Sequence, residues 1–372
     1  MNKILRPTWA EINLNNLEHN LKYVQELSGH DTKVLFVVKA NAYGHGSVGV
    51  ARAAQEKKLC VMFGTASVEE GITLRENGIT LPILVLGSLY PFEVFEEAVK
   101  HDLSLTIASV DAAKAVVNVA EKLGKDVYCH VKQDTGMGRI GSRRTGVMSI
   151  LEILSKNKNI IIEGLYTHLS SPETDDNFTM QQLEFFESAA LEAKTKNYDI
   201  KNFHTCATYG TLLAPRGRFD LIRTGIGAYG VVNGDKNFKP VLSLKSKVVF
   251  IKDVKKGFSV SYDRTFVAEK DMRVATLPIG YGDGYVRAAS NKGHVLINGK
   301  KCKITGRVTM DMFMVDITDA GDVKTGAEAV LIGRQGAEEI TAADLAKWTG
   351  TIPYETLTLI TARVPRIFIE TK

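Results

Sequence analysis

The sequence has little cysteine and almost no excess charge, and both shortages exclude classes of protein. Its four cysteines are far apart, so neither a disulfide framework nor a CxxC-type metal site is expected, and we predict reduced thiols in buried strands. These cysteines are Cys60, Cys129, Cys206 and Cys302. The 47 Lys and Arg residues against 42 Asp and Glu leave a net charge of only +5, which indicates no nucleic-acid partner.

Long hydrophobic runs are also missing. Runs such as 34–38 and 160–162 are far shorter than the roughly 20 residues that a membrane helix needs. The opening MNKILRPTWAEINLNN meets polar residues too early for a signal peptide. We therefore expect a cytoplasmic protein with no membrane segment in this chain and no metal site.

Two nucleotide-binding signatures are absent from the sequence. It contains no GxxxxGK[ST] motif, and no GxGxxG follows its first strand-like run. A P-loop nucleotide hydrolase and a Rossmann-type dehydrogenase are therefore both disfavoured.

Over residues 1–240 the sequence alternates between short apolar runs and helical periodicity. Leu14, Leu17, Leu21 and Val24 are typical of one helix face, and similar stretches separate most of the later runs. About eight strands that alternate with helices favour a closed (β/α)8 barrel over an open doubly wound sheet. The predicted strands lie at 33–39, 60–64, 82–87, 104–108, 127–132, 160–168, 203–206 and 219–225.

The pattern changes around Lys239–Leu242. Short apolar runs separated by Gly, Lys and Asp then continue until helical periodicity returns at 341–361. Such serial short strands predict a mainly antiparallel β-domain over 241–372. Residues 1–11 form a segment that can pack with this C-terminal domain.

Several polar residues stand at the carboxyl ends of the predicted barrel strands, where barrel enzymes hold their active groups. Lys39 follows a buried run, and desolvation there would lower its pKa and suit it to Schiff-base chemistry. Lys132 ends another strand and precedes a glycine-interrupted loop that presents Arg139, a residue suited to carboxylates. His168 ends a third strand. Taken alone, Lys39 also fits a surface lysine and His168 a structural hydrogen-bonding group.

Arg223 and the glycines after it complete this set. Glycine-rich backbone after a late barrel strand, here Gly225-Ile226-Gly227, is the usual place for a phosphate-binding loop built from N–H groups. A strand-end lysine, a phosphate-binding loop and an arginine among apolar strands together favour pyridoxal phosphate (PLP) over a nicotinamide cofactor.

Eight motifs, in order along nearly the whole chain, resemble those of bacterial alanine racemases, which are PLP-dependent enzymes of fold type III. The motifs are VVKANAYGHG (37–46), KQDTGMGRIG (132–141), YTHLSSPETDD (166–176), RTGIGAYG (223–230), VSYDRTF (260–266), IGYGDGY (279–285), GRVTMDM (306–312) and IPYETLTLITARVPRIF (352–368). The resemblance implies a PLP-binding barrel followed by a β-domain. It also implies a homodimer whose active sites are shared between the subunits.

The resemblance also implies a two-base mechanism that interconverts L-alanine and D-alanine and supplies D-alanine for peptidoglycan. Lys39 would bind PLP covalently and act as one acid/base group, and Tyr262 of the partner subunit would act as the second. His168 would assist Tyr262 and link it to Arg223, which would face the pyridine nitrogen. Arg139 would contact the phenolic oxygen of PLP and the substrate carboxylate.

Further roles follow from the same resemblance. Met310 and Tyr281 would bind substrate, and Lys132 aligns with a lysine that is often carbamylated. The phosphate-binding positions would be Tyr43, Thr208, Gly225, Ile226 and Tyr354.

The chain departs from the family pattern at a few positions. Ala207-Thr208 replaces the common Asn-Ser, Thr309 replaces a common cysteine, and Asp263 replaces a common glycine after Tyr262. The hydroxyl of threonine keeps the phosphate contact, and aspartate tolerates a positive φ better than most residues.

Three other functions remain open on the sequence. Thr208-Tyr209-Gly210 is similar to serine racemases of the VanT type, although the retained Tyr354 favours alanine. A non-catalytic PLP-binding barrel usually lacks the second domain that carries Tyr262 and Met310. An amino-acid decarboxylase of the same cofactor type would need motifs that are not evident here.

Overall fold

The computed structural model describes residues 5–370 and divides into two compact units. The barrel unit consists of Glu18–Ala42 and Ser47–Ala228. The second unit contains the described residues up to Leu17, the short segment Tyr43–Gly46, and the chain from Tyr229 onward. Strand β1 (Thr8–Asn13) belongs to this second unit. The division of the sequence into domains 1–240 and 241–372 stays a prediction.

Eight parallel strands form the barrel, in the spatial order β8-β7-β6-β5-β4-β3-β2-β9. The ring closes between its last two strands through an isolated bridge that joins Ala207 to Arg223. The fully buried Phe36, Phe63 and Leu105 belong to its core. The strands are β2 (Lys33–Val37), β3 (Met62–Thr65), β4 (Ile83–Val85), β5 (Ser104–Ile107), β6 (Val127–Lys132), β7 (Ile160–Tyr166), β8 (Asn202–His204) and β9 (Leu221–Thr224).

Helices precede and separate these strands. Polar side chains begin several of them: Ser109 accepts a hydrogen bond from the Ala112 N–H (3.1 Å), and Asp175 accepts one from the Phe178 N–H (2.9 Å). The helices are α1 (Leu14–Ser28), α2 (Ser47–Glu56), α3 (Val68–Glu76), α4 (Val94–Lys100), α5 (Val110–Leu123), α6 (Arg144–Ser155), α7 (Asp176–Thr195) and α8 (Thr208–Leu213).

The second unit is built mainly from antiparallel sheets. One sheet has the order β16-β15-β18-β10-β1-β20, with β19 paired to β18, and only its β1–β20 pair is parallel. A second sheet has the order β11-β14-β17, and β12 pairs with β13. The strands are β10 (Leu242–Lys247), β11 (Phe250–Val254), β12 (Ser259–Val260), β13 (Phe266–Val267), β14 (Met272–Leu277), β15 (His294–Ile297), β16 (Lys300–Lys303), β17 (Phe313–Asp316), β18 (Glu328–Gln335), β19 (Glu338–Ile340) and β20 (Arg366–Ile369).

The predicted fold class, a (β/α)8 barrel followed by a mainly antiparallel β-domain, is confirmed. The helical periodicity at 341–361 corresponds to two helices, α9 (Ala342–Thr349) and α10 (Pro353–Thr358). The first helix ends at Gly350, which adopts a φ of 75°. All four cysteines are buried and unpaired. Within residues 5–370, no helix is both long and apolar enough to cross a membrane.

Candidate active site

The barrel places five predicted site residues at the carboxyl ends of its strands. Lys39 follows β2, Lys132 ends β6, His168 follows β7, Thr208 begins the helix after β8, and Arg223 lies in β9. The parallel arrangement of the strands brings these ends to one edge of the barrel. Lys132 and Arg223 are each only 3% exposed, so both basic groups lie inside the protein.

A left-handed turn follows Lys39. Ala40, Asn41, Ala42 and Tyr43 have φ values of 51–55°, a region that costs a non-glycine residue about 1–2 kcal/mol. The Glu70 carboxylate holds the turn, because it accepts hydrogen bonds from the N–H groups of Ala40 (2.6 Å) and Ala66 (2.7 Å). Strain of this kind persists where the surroundings impose it, and it occurs often at functional sites.

Within the second unit, Gly44 is the residue that lets this turn continue. Its φ is 82°, and a Cβ there would lie 2.1 Å from the carbonyl oxygen of Leu357. Only glycine meets both conditions.

The amine of Lys39 has a lowered pKa. Burial lowers its pKa, and the nearby positive charge of Arg139 lowers it further. A lysine with a lowered pKa has more of the unprotonated amine, which is the nucleophile in Schiff-base formation.

Lys132 and Arg223 share one aromatic neighbour. The Nζ atom of Lys132 lies 4.4 Å from the centroid of the Tyr166 ring, and the guanidinium carbon of Arg223 lies 5.3 Å from it. Burial, Arg223 and Arg139 lower the pKa of Lys132 well below its usual value. Among the described residues, Lys39, Lys132, Arg139 and Arg223 form no salt bridge. The carboxylates of Glu70 and Asp134 partly offset the positive charge around Lys39 and Lys132.

The side chain of Arg223 contacts four hydrogen-bond acceptors in the described chain. Its Nη2 contacts the carbonyl oxygens of Thr167 (2.8 Å) and Thr205 (2.6 Å) and the Nδ1 of His168 (3.3 Å). Its Nη1 contacts the Nδ1 of His204 at 2.9 Å. Burial lowers the pKa of Arg223 to about 10, so the side chain is still a cation at neutral pH.

Both histidines beside Arg223 are neutral acceptors. Burial and the charge of Arg223 lower the pKa of His168 and of His204 well below the usual value. His168 also experiences the charges of Lys132, Arg139 and Lys39. The predicted connection of His168 with Arg223 is therefore present in the barrel unit.

Thr208, which is predicted to bind phosphate, is part of a local hydrogen-bond cluster. The Thr208 hydroxyl accepts hydrogen bonds from the N–H groups of Gly225 (3.4 Å) and Gly227 (3.2 Å). Thr208 and Ile226 are both buried. A threonine hydroxyl thus stands where the family often has serine, beside glycine N–H groups suited to phosphate.

Arg139 lies on the loop after β6 and is exposed. The Asp134 carboxylate shapes this loop by accepting hydrogen bonds from the N–H groups of Gly136 (3.0 Å) and Gly138 (3.0 Å). These hydrogen bonds stabilise the turn in the loop that carries the guanidinium of Arg139.

The remaining predicted residues lie in the second unit. The rings of Tyr43 and Tyr354 are 6.1 Å apart, and burial raises the pKa of Tyr43 to about 12. Tyr281 and Met310 lie on adjoining loops, because the Tyr281 N–H bonds the carbonyl of Thr309 (3.0 Å) and the Gly282 N–H bonds that of Met310 (2.9 Å).

Tyr262 lies on a separate turn of the second unit and is 68% exposed. Ser261, Asp263 and Arg264 in this turn have φ values of 68°, 60° and 50°. Asp263 therefore occupies the left-handed region, which accounts for the glycine that the family often has there.

Comparison with known proteins identifies the family. The profile "Alanine racemase, N-terminal domain" matches residues 12–233, and "Alanine racemase, C-terminal domain" matches residues 241–368. The chain belongs to the alanine racemase family. The alanine racemase of Carboxydothermus hydrogenoformans is 43% identical over 98% of this chain and 100% of its own length.

Solved structures of alanine racemases support the same family assignment. That from Clostridium difficile superposes with a TM-score of 0.94 at 38% identity, covering 99% of this chain and 97% of the other. That from Bacillus anthracis with bound L-Ala-P gives a TM-score of 0.91 at 36% identity, covering 99% and 96%.

The residues of this alanine racemase family member suit PLP. The cofactor carries a phosphate and a phenolic oxygen, and the barrel unit offers two guanidinium groups, that of the buried Arg223 and that of the exposed Arg139. Lys39 supplies an amine with a lowered pKa. The donor-only guanidinium of Arg223 suits an unprotonated ring nitrogen.

Sequence reasoning missed three residues of this alanine racemase site. Tyr166 contacts both cations, His204 bonds Arg223, and Glu70 holds the strained turn. Tyr166 and His204 had a visible signal, since each is a polar side chain inside an apolar strand run. Glu70 had none, because it is one of many acidic residues on helix surfaces.

Proposed function

We propose that this chain is a PLP-dependent alanine racemase. The observation that carries the proposal is the strand-end Lys39, whose pKa is lowered by burial and by the positive charge of Arg139. The full-length similarity to curated alanine racemases supports the same substrate. A non-catalytic PLP-binding barrel is disfavoured, because the C-terminal profile matches residues 241–368.

Each predicted residue has a part in holding PLP. Lys39 would bind it covalently, and Arg139 would contact its phenolic oxygen. Arg223 would donate to its ring nitrogen and keep that nitrogen unprotonated, since a guanidinium gives up a proton reluctantly. The phosphate would be held by Thr208, Gly225, Ile226, Tyr43 and Tyr354.

When bound, PLP supplies an electron sink that makes the Cα–H of the amino acid acidic. Inversion then needs one acid/base group on each face of the planar carbon, because a single base would return the proton to the side it came from. Lys39 would hold or donate the proton on one face and Tyr262 on the other.

Tyr262 needs help to act as a base, since an ordinary tyrosine has a pKa of about 10. We assign that help to His168, which is held in its neutral form beside Arg223. The substrate carboxylate would be bound by Arg139, by the backbone N–H of Met310 and by Tyr281.

We further propose that the working unit is a homodimer with shared sites. Tyr262 and Met310 are 68% and 53% exposed, so both side chains are accessible to a partner subunit. Tyr262, Tyr281 and Met310 would act in the partner subunit's site. We place the enzyme in the cytoplasm, where D-alanine would supply peptidoglycan synthesis.

One experiment separates the two leading substrates. The full chain, supplied with PLP, is assayed for loss of optical rotation with L-alanine and with L-serine, using Lys39→Ala as the matched control. We expect kcat/KM for L-alanine to exceed that for L-serine by more than tenfold. A tenfold preference for serine would reject the alanine assignment. Turnover by Lys39→Ala equal to that of the unchanged chain would reject the assignment of the base.

A further inference from the structure

A line of four polar side chains joins strands β9, β8, β6 and β7 inside the barrel. Arg223 Nη1 lies 2.9 Å from His204 Nδ1, and His204 Nε2 lies 2.9 Å from His130 Nδ1. His130 Nε2 lies 3.4 Å from the Oε2 of Glu163, which is an ion-pair distance, and makes no hydrogen bond in the described chain. Both imidazoles are fully buried. None of the roles assigned above uses His130 or Glu163.

While every contact in this line is kept, its hydrogens point in one direction. A guanidinium only donates, so His204 must accept at Nδ1 and carry its proton on Nε2. That proton points at His130 Nδ1, which must accept in turn. His130 then carries its proton on Nε2, the atom that faces the Glu163 carboxylate at 3.4 Å. A protonated His130 would place a second donor against His204 and break the line.

The strand geometry is built to bring Glu163 to His130. The register between β6 and β7 shifts at this point, where Cys129 pairs with Ile162 and His130 with Gly164, so Glu163 is an extra residue in β7. A Cβ on Gly164 would lie 2.3 Å from His130 Nδ1. Only glycine there leaves room for the ring.

Two further contacts support the line, one at Glu163 and one at His204. The Ser104 hydroxyl donates to Glu163 Oε2 at 2.5 Å. The Tyr166 ring stacks on His204, with centroids 4.7 Å apart and planes inclined by 5°. Burial acts to raise the pKa of Glu163, but the His130 and Ser104 contacts lower it overall, so the side chain is a carboxylate at neutral pH.

We infer that Glu163, His130 and His204 are positioning residues that orient Arg223 by fixing both imidazoles as Nε2–H tautomers. This inference rests on the proposed function, in which Arg223 faces the ring nitrogen of PLP. The carboxylate ends the line, and its negative charge favours the proton on His130 Nε2, the atom it faces at 3.4 Å. Arg223 then meets only acceptors within the barrel, so its remaining N–H groups stay directed at the cofactor.

The first test needs neither cofactor nor turnover. The full chain is labelled with 15N-histidine, and the ring nitrogens are read by long-range 1H–15N NMR, in which protonated and bare nitrogens have distinct shifts. Among the eight histidines, His130 and His204 are assigned with His130→Gln and His204→Gln. We expect a bare Nδ1 and a protonated Nε2 in both. A proton on Nδ1 of either ring overturns the inference, whatever the activity of the protein.

The second test separates the loss of the side-chain oxygen at position 163 from a change in the shape of that side chain. Glu163→Gln keeps an oxygen that accepts from His130, whereas Glu163→Leu removes it. We expect Glu163→Gln to keep both tautomers and Glu163→Leu to convert at least one. We also expect kcat to fall about tenfold in Glu163→Leu with KM nearly unchanged, as when an outer residue that orients a functional group is removed. Equal losses in the two variants, or unchanged tautomers in Glu163→Leu, would overturn the inference.

Discussion

The Nζ atom of Lys132 lies 4.4 Å from the centroid of the Tyr166 ring, inside a barrel where Arg223 and Arg139 add positive charge. A cation over an aromatic face is stabilised, but burial beside two other cations acts more strongly. The pKa of Lys132 is therefore lowered well below its usual value. A neutral amine is the form that reacts with carbon dioxide, and the resulting carbamate would supply the missing negative charge.

We predict that Lys132 is carbamylated. Protein equilibrated with 13C-bicarbonate should show a carbamate 13C resonance that Lys132→Arg lacks. Lys132→Ala should lower kcat/KM about tenfold, because Arg139 would lose a group that orients it. A spectrum without the resonance, together with full activity in Lys132→Ala, would contradict the prediction.

The lowered pKa of Lys39 should be visible in cofactor binding. As pH rises, the rate at which cofactor-free protein binds PLP covalently should increase and level off below the pH that an ordinary lysine requires. Arg139→Met removes a cation and should move the midpoint of this profile upward. Arg139→Lys keeps the charge and should leave the midpoint nearly unchanged. Visible absorbance measures the rate, and coincident profiles in Arg139→Met and the unchanged chain would argue against the electrostatic cause.

The hydroxyl of Thr208 should matter more for PLP binding than the shape of the side chain. Thr208→Val keeps the volume but removes the acceptor for the N–H groups of Gly225 and Gly227. We expect it to weaken PLP binding about tenfold, which is the cost of one well-placed polar contact. Thr208→Ser should bind PLP as the unchanged chain does. Equilibrium dialysis measures the affinity for PLP. Equal affinities for all three proteins would show that the Thr208 hydroxyl does not contribute to phosphate binding.

Shared active sites predict complementation between two inactive variants. Lys39→Ala and Tyr262→Phe should each have little activity alone. After subunit exchange, half of the dimers would be mixed, and each mixed dimer would have one intact site, so about a quarter of the full activity should return. Activity is compared before and after exchange by mild denaturation and refolding. If none returns although mixed dimers form, Lys39 and Tyr262 act in the same chain.

Tyr262 should also act on one enantiomer more than on the other. A two-base mechanism assigns one proton to each face of the substrate carbon. Tyr262→Phe should therefore slow exchange of the Cα proton of L-alanine far more than that of D-alanine. Proton exchange into deuterated water measures both, and equal slowing would contradict the two-base assignment.

The buried histidines should make the fold sensitive to acid. The pKa values of His168 and His204 are lowered well below 6.5, so as pH falls the unfolded chain takes up protons that the folded chain does not. Stability should therefore decrease from about pH 7 downward, until the folded-state pKa values are reached. His204→Gln should reduce the slope of the unfolding temperature against pH, whatever its effect at pH 7. An unchanged slope would show that other groups cause the acid sensitivity.

Much of the fold could be predicted from local pattern. Apolar runs such as 33–39 and 127–132 correspond to β2 and β6, because buried parallel strands need continuous apolar side chains. The strand-end positions of Lys39, Lys132, His168 and Arg223 followed from the same rhythm. The left-handed turn after Lys39 could not be predicted, because alanine and asparagine carry no local signal for positive φ at successive positions. It depends on the Glu70 carboxylate, which lies thirty positions away.

Periodicity and contiguous motifs are local properties of a chain. They were therefore enough to predict the barrel, the β-domain that follows it, the family and the residues at the strand ends. The tertiary structure alone decided which polar side chains meet. Tyr166 lies between Lys132 and His204, and the bulge at Glu163 brings a carboxylate to His130. These relations join residues from different strands of a closed ring. Their chemistry depends on distances that no single stretch of sequence contains.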